Sequence, residues 1–540
     1  MAVFQAKDRH YSDTSWVPES YMTALEYMNL MKIHPLDKKL LTGDRYDEKN
    51  KEIIRCSPNR TKLIPGILVV SGNSYGRKKN KLYYKCIPND KTLPVFLVPY
   101  LDKTASFSKN KVDKFVLFVF NNWESKHPYG ILQQTIGDVN NMSAFEEHQM
   151  NCKNINHSIQ KFSKYAFKAV KQKTALFNDI VSNISSTYDI IDRTHENAIS
   201  VDPIGCTDID DAFNIRFDKE SPWKTILSVY IANVPLWFDY LDLWNHLDRR
   251  VSTVYLTADR RGMLPSILSE NLCSLKQGQR RFAIAMDVVI MGSKIHEVNF
   301  NNVLIKVEKN YAYDDEELQS NTNYKEASII ARRLNKQYNF IEEVENSHDV
   351  IQLFMVIMNN YVGKKLRDNI GRGIYRSFKA APVEEKMNIP SEMKSFARTW
   401  KSNGGIYTTD SGSGHDMMNN AIDVYAHSTS PIRRLVDLIN MTLLTCSIGK
   451  ISERGNIFAN TWIEKIDYIN SQMKSTRRVQ SDVKLLDTCL KIEDLLEKSF
   501  RGYIIDIEDK SDDMYESGNY SLHIFNDEHN LKQKIRIFHL

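Results

Sequence analysis

Four aspartates, Asp202, Asp208, Asp210 and Asp211, crowd into ten residues of the stretch ISVDPIGCTDIDDAFNI, residues 199–215. Like charges at this density repel, and a carboxylate leaving water is costly unless it finds a partner. The bracketing residues Ile199, Val201, Ile204, Ile209, Ala212 and Phe213 are apolar or small, unlike those of a solvated acidic run. The pattern reads as carboxylates aimed at something positive. A calcium loop of the EF-hand type fails on spacing. Counted from Asp208, the glycine position is Phe213 and the final acidic position is Lys219; counted from Asp202, ligand positions fall on Ile204 and Cys206. A structural ion-pair cluster needs cations nearby in space, which spacing does not exclude. A divalent-metal site for phosphoryl chemistry remains the third reading. Mg²⁺ takes hard oxygen ligands and leaves room for phosphate oxygens, and two such ions can activate water and stabilise a leaving oxygen. Adjacent Asp210 and Asp211 cannot point the same way on a strand, so one segment reaches two ligand positions.

A polyanionic substrate needs cations and flat rings elsewhere, and the chain clusters both. YGRKKNKLYYK (75–85) interleaves five cations, among them Lys78, Lys79 and Lys81, with three tyrosines. HSIQKFSKYAFKAVKQK spaces Lys161, Lys164, Lys168 and Lys171 along one helical face, with Phe162, Tyr165, Ala166 and Ala169 on an adjacent one. Each could be a plain solvated face. Together, rings for bases and charges for phosphates are what single-stranded nucleic acid requires. The net charge of +5 does not by itself mark a nucleic-acid binder.

At 540 residues, 42% of them hydrophobic, the chain is expected to fold as several globular domains. No apolar run approaches the roughly 18 residues of a membrane span, and the first ten residues lack a signal-peptide layout. Seven scattered cysteines without C-x-x-C spacing argue against a disulfide framework and a zinc site. The expectation is an intracellular, cytoplasmic protein without membrane association.

Texture divides the chain further. Residues 1–50 read as a helical N-terminal segment, with Pro18 in a first turn before YMTALEYMNLMKI. Residues 51–150 change to short β-type runs (LIPGILVV, KLYYKCI, VFLVPY, KFVLFVF) broken by Gly, Asn, Pro and Lys, as small barrels require. A helical linker, 151–190, leads into a mixed block of strands and long helices, 191–497. Its clearest helix starts near Ser347 and stops at Gly371. Residues 498–540 return to β texture in three runs.

The segment VDPIGCTDIDDAF resembles the signature of the RNase II/RNase R exoribonuclease family, the RNB domain. Four further blocks resemble the same family in the same order: YIANVPLWF, STVYLTADRRGMLPSILSENLCSL (252–275), FMVIMNN (354–360) and YAHSTSPIRRLVDLIN (425–440). HPYGILQQTIGD is similar to the end of the second cold-shock domain in the eukaryotic exosome-nuclease branch. The additional N-terminal endonuclease domain of that branch is not expected here, since about 50 residues precede the β region. The resemblance implies an α+β multidomain protein: N-terminal OB-type (cold-shock) β-barrels, a mixed α/β RNB catalytic domain, and a short C-terminal β segment like a reduced OB domain. It implies a monomeric, Mg²⁺-dependent (or Mn²⁺-dependent) hydrolase that degrades single-stranded RNA from the 3′ end to nucleoside 5′-monophosphates.

By the same resemblance, Asp202, Asp208, Asp210 and Asp211 hold the metal, with Asp210 and Asp211 catalytic and Asp210 most directly so. Tyr255 stacks on the 3′-terminal base. Arg433 supplies charge to the phosphate, and Arg434 is its weaker neighbour. Two cations opening a helix oppose its dipole, which itself suggests a bound anion. Three positions depart from the family pattern. Asn233 replaces an aspartate, with a structural consequence only. Arg372 stands where bacterial relatives can have a phenylalanine that clamps the terminal nucleotides, and its guanidinium is expected to contact RNA instead. Gln480 replaces an acidic residue. These departures keep open a rival, a degenerate family member that grips RNA without cutting it.

Overall fold

The computed structural model describes all residues except 79, 102–110, 177–178, 218–220, 222, 379–404, 413–421, 493, 496, 510–518, 527–530 and 539–540. The chain forms two compact units. The first is Met1–Asn156 with Leu256–Asp259 and Ser475–Lys484; the second is His157–Tyr255, Arg260–Lys474 and Leu485–Leu540. Among the described residues no helix is long and apolar enough to cross a membrane.

The first unit corrects the expectation of a helical N-terminus. Strands β1 (Ala2–Ala6), β2 (Thr14–Pro18), β3 (Arg45–Asp47) and β4 (Glu52–Ile54) form a sheet in the order β2-β1-β3-β4. Helix α1 (Ala24–Met31) is the one part of the expected helix that forms, started by a reciprocal cap between Thr23 and Glu26. Pro18 ends a strand instead of opening a helix. The deciding signal is the alternation in AVFQA, which buries Ala2, Phe4 and Ala6 on one face. Tyr11 and Trp16 pack their rings on Phe4, each at 5.5 Å.

The expected β region follows as β5 (Ile64–Leu68), β6 (Ser74–Lys78), β7 (Lys81–Pro88), β8 (Phe96–Tyr100), β9 (Lys114–Asn122) and β10 (Tyr129–Asp138). β5 pairs with β7 and β9, β9 with β10, β10 with β8, and β8 with β7. The pairing therefore closes into a five-strand circuit, a barrel-like sheet to which β6 adds an edge. Phe96 and Phe118 fill its interior, with ring centroids 5.0 Å apart. Gly130 is required there, because a Cβ would sit 2.6 Å from the Phe118 ring. Helix α2 (Met142–Cys152) ends the run.

The second unit opens with α3 (Gln160–Leu176) and α4 (Ile180–Thr187), where a helical linker was expected. Its main sheet contains β11 (Ile191–Asp192), β12 (Ala198–Asp202), β13 (Asp211–Phe217) and β14 (Lys224–Ala232). After α5 (Val234–Tyr240) and the small hairpin β15 (Val254–Tyr255) and β16 (Arg260–Arg261), β17 (Arg280–Met291) and β18 (Lys294–Ala312) complete it. The order is β11-β18-β12-β13-β14-β17. β18 is long enough to pair with β17 along most of its length and with β12 at its end. Then come α6 (Glu316–Ser320), α7 (Thr322–Tyr338), α8 (Ser347–Lys365), the strands β19 (Tyr375–Ser377) and β20 (Ile406–Thr408), and α9 (Leu435–Ile448), α10 (Glu453–Ile463) and α11 (Ile466–Lys491). The helix expected from Ser347 to Gly371 is α8 prolonged by a π-type turn, and Gly371 ends it at φ 75°. The three C-terminal runs form one antiparallel sheet of β21 (Tyr503–Asp509), β22 (Asn519–Asn526) and β23 (Leu531–Phe538).

Candidate active site

The aspartate stretch is a loop between two paired strands. β12 ends at Asp202 and β13 begins at Asp211, while Ile199 pairs with Phe213 farther back. Asp202 and Asp211 therefore stand at neighbouring strand ends, with Asp208 and Asp210 in the connection. A turn starts that connection: Cys206 N donates to Pro203 O at 3.1 Å, and Gly205 supplies φ +79°. Ser274 holds its far side. Its hydroxyl accepts from Ile209 N at 3.0 Å and donates to Thr207 O at 2.9 Å, while Leu275 N reaches Ile209 O at 3.0 Å. Ala232 N on β14 takes the Asp210 carbonyl at 2.8 Å.

The Ser-Pro-Ile-Arg-Arg segment docks onto this loop. Ile432 N donates to Asp210 Oδ1 at 3.0 Å, and Arg433 Nε reaches Oδ2 at 3.3 Å. Asp210 is buried, and burial pushes its carboxyl up to about 7 against the opposing Arg433 charge. Burial also raises Asp202, to about 6, although Ser200 Oγ donates to it at 2.8 Å. Asp211 lies well above the ordinary carboxylate range, through burial first and then the charges of Asp202 and Asp210. Asp208 is treated differently: Arg260 donates to one of its oxygens, and Tyr255 OH lies 3.5 Å from the other. The second arm of Arg260 pairs with Glu270.

The remaining expected residues divide. Tyr255 keeps 42% of its surface exposed, with its hydroxyl turned to Asp208, so a ring face beside the aspartates is open. Burial, with Asp208 next, raises its phenol to about 12. The chain around Arg433 zips to that of Tyr255: Thr253 N donates to Arg433 O at 2.9 Å, and Ser252 bridges to Arg434. Arg434 is spent internally, on Asp437 Oδ1 at 2.8 Å and beside His427 Nδ1 at 3.4 Å. That fits a bracing neighbour of Arg433 more than an RNA contact.

Arg372 is not brought to the aspartates. Its guanidinium donates to Asn460 and Asn456 of α10, both at 2.9 Å, and its charge reaches Cys446 near the end of α9. Ile432, which bonds Asp210, lies instead just before the start of that 14-residue helix. Two asparagine acceptors decide its position, and nothing in the motif GRGIYRSF announces them. Asn233 does what an amide can: it caps α5 through Leu236 N at 3.1 Å and donates to Asn302 at 3.0 Å. Lys81 is exposed on β7, whereas Lys79 and the side chain of Lys78 lie outside the described residues.

Three contributors were not singled out from the sequence. Arg260 and Ser274 lie inside the resemblance block 252–275, but only the fold shows that one neutralises Asp208 and the other staples the loop. Tyr313 stacks on His348 at 3.6 Å, and its phenol, raised to about 12 mainly by burial, feels Asp211 and Asp202. A tyrosine in YAYDDEEL carries no local signal of this.

Four carboxylates make up the donor set for the divalent cation the resemblance implies. Among the described residues no three His, Cys, Asp or Glu side chains are already gathered as an ion cage. The chemistry nevertheless fits: all donors are carboxylate oxygens, and three of the four carboxylates are held above their normal range in a site short of positive charge.

Residues 190–344 match the RNB domain, so the chain carries one. Among curated proteins it is 23% identical, over 440 residues, to the exosome complex exonuclease RRP44 of Mus musculus; the match covers 67% of this chain and 44% of that one. The chain spans about half the length of the curated relatives it matches. Among solved structures, RNase R of Mycoplasma genitalium in complex with ribose-methylated single-stranded RNA superposes with a TM-score of 0.69 at 16% identity. That match covers 99% of this chain and 92% of the other. Yeast Ssd1, described as a pseudonuclease, matches with a TM-score of 0.60 at 14% identity, covering 90% of this chain and 66% of its own. The fold is thus the one RNase R has, and one that a pseudonuclease also has.

Proposed function

We propose that this RNB-domain chain is a divalent-metal-dependent exoribonuclease, working as a cytoplasmic monomer that hydrolyses single-stranded RNA from its 3′ end to nucleoside 5′-monophosphates. The observation that carries the reading is the state of Asp210. It is a buried carboxylate gripped by Ile432 N–H and Arg433, raised to about 7, with Asp202 and Asp211 raised beside it. Buried negative charge beyond what Arg433 and the hydrogen bonds offset is what a cation site needs. Asp202, Asp210 and Asp211 would hold Mg²⁺ or Mn²⁺, with the remaining lone pairs of Asp208. When bound, the ion supplies Lewis-acid stabilisation of the phosphate and lowers the proton affinity of its water. The chain's own groups do the rest. Arg433, 44% exposed at its side chain, faces the phosphate charge while keeping Asp210 in place. Asp210, fixed by Ile432 N–H and Arg433, positions the attacking water at the phosphate. The open ring of Tyr255 stacks on the terminal base, with its hydroxyl 3.5 Å from Asp208.

The five-strand circuit of the first unit is read as an OB-type barrel. Its outer surface mixes rings with charge: Tyr83 meets Tyr129 edge-on at 5.4 Å, and Lys85 lies 5.0 Å over Tyr75. Such a surface suits a single strand. The similarity to an RNase R bound to single-stranded RNA agrees with this substrate class. The seven free cysteines suit a reducing compartment.

The second reading, a non-cutting RNA binder, is favoured by the shared fold with Ssd1 and by the substitutions at Arg372 and Gln480. One assay separates the two. RNA labelled at the 5′ or the 3′ end is incubated with the full chain in Mg²⁺ and in chelator. The nuclease shortens the 5′-labelled strand progressively and releases the 3′ label at once as mononucleotide, only with metal. RNA retained at full length in Mg²⁺ would establish the second reading.

A further inference from the structure

We propose that α3, with the segment facing it, is a second contact site for single-stranded RNA on the catalytic unit, apart from the aspartate loop. The inference rests on the RNA reading above and adds a place where the strand is gripped. Lys161, Lys164, Lys168 and Lys171 are all exposed, and the 17 residues of α3 contain no aspartate or glutamate. Phe162 and Ala166 on the other side are buried in the core, so the helix cannot turn its lysine face inward. The ladder spans about 15 Å at 1.5 Å per residue. A helix that needed only solubility would mix its charges, and like charges three and four residues apart weaken it.

A second feature, independent of the charge, adjoins the ladder. Phe167 stands 61% exposed among the lysines. Beside it lies a pocket of about 370 Å³, lined by Ser163, Lys164, Phe167, Pro265, Ser266 and Ile267. An aromatic wall, a proline and an isoleucine offer a slot for a flat ring; two serines supply hydrogen bonds, and Lys164 stands where a phosphate would emerge. Base stacking with charge at the rim is the chemistry of single-strand binding. An anionic lipid surface or an acidic protein face has no use for the slot. Ile267 also opens a π-type turn, Ile267–Leu272, in which Glu270 pairs with Arg260, the partner of Asp208. A base in the pocket therefore sits on the element that braces the aspartate loop.

The test uses the full chain carrying Asp210→Asn, so that RNA is not consumed, and a long 5′-labelled oligouridylate bound over a salt series. Replacing Lys161, Lys164, Lys168 and Lys171 by Ala should lower the slope of log K against log salt by up to about 3, at about 0.7 per phosphate contact. Replacing Lys294, Lys306, Lys325 and Lys336 instead, the same charge change on other exposed positions of this unit, should lower it much less. Phe167→Ala should weaken binding about fivefold or more without changing the slope. Lys→Arg at all four ladder positions should restore the slope, and Phe167→Tyr the affinity, which removes misfolding as an explanation. Equal slopes for the two quadruple variants would overturn the proposal. So would an unaffected Phe167→Ala, or a ladder variant that loses only adhesion to phosphatidylserine vesicles. Should the wild-type chain fail to shorten RNA, the catalytic reading falls while these binding results still decide the second site.

Discussion

Glu196 and Asp287 meet Arg193 and Arg216 within the main sheet of the second unit, two acids against two bases, whereas the aspartate loop sets four acids against Arg433 and Arg260. In the first cluster every charge is answered. Arg193 grips Asp287 with two bonds of 2.8 and 2.6 Å, Arg216 spans Glu196 and Asp287, and Ser228 and Tyr230 donate to the acids as well. Burial pushes Asp287 up, yet the bonds and charge of Arg193 and Arg216 outweigh it and hold the carboxyl below its usual value. In the second cluster burial wins, at Asp202, Asp210 and Asp211 alike. Similar residues on one sheet thus do opposite work. The balanced set holds the fold together, and the unbalanced set costs stability until something positive arrives.

Substitutions should split along that line. Asp287→Asn takes from the buried Arg193 its two-bond partner and leaves the half-buried Arg216 with Glu196 alone, and should destabilise the second unit by up to about 3–5 kcal/mol, read by denaturant titration. A loss under 1 kcal/mol would mean the balanced cluster is no brace. Asp210→Asn should instead leave the fold intact and slow RNA degradation in Mg²⁺ by at least about 10²–10³, the scale of removing a single transition-state donor. RNA binding should persist or tighten, since one carboxylate repelling phosphates is gone. Tyr255→Ala should lose about 1–3 kcal/mol of stacking, seen in turnover or in the length of the final fragment. Tyr255→Phe should keep most of it, because a hydroxyl 3.5 Å from Asp208 bonds weakly; a Phe variant as poor as Ala would transfer the role to the hydroxyl. Smallest is the barrel unit: Ala at Lys78, Lys79 and Lys81 should flatten the salt dependence of RNA binding by up to about 2, at about 0.7 per phosphate. An unchanged slope would mark that run as merely solvated.

The comparison also explains what the sequence could carry. The aspartate spacing, the Ser-Pro-Ile-Arg-Arg segment and the long helix from Ser347 were legible because each is local: a few adjacent residues determine the element and its chemistry. The balanced cluster was invisible, since Arg216 and Asp287 are joined only by strand register across β13, β14 and β17, and Arg193 reaches Asp287 from the connection after β11. Arg260 on Asp208, Ser274 under the loop and Arg372 on α10 are long-range pairings of the same kind. The N-terminal segment was misread for a different reason. YMTALEYMNLMKI is a good helix and was extended backward over AVFQA, where alternation of two residues buries Phe4 and the strand wins.

The central claim is that the aspartate loop keeps uncompensated negative charge for a cation, and thermal stability against pH, with and without Mg²⁺, tests it most directly. A carboxyl raised in the folded state binds its proton more tightly there than in the unfolded chain. Its stabilisation is complete below the unfolded value of about 3.8 and is lost as pH rises through about 7 for Asp210. Without metal, wild type should therefore lose stability relative to Asp210→Asn as pH rises from about 3.8 through about 7, by up to about 4 kcal/mol at 1.36 kcal/mol per unit. Mg²⁺ at pH 8 should restore the wild type and do much less for the variant. Indifference of the wild type to Mg²⁺, together with an Asp210→Asn variant as unstable as Asp287→Asn at every pH, would contradict the account and make the loop a second structural brace.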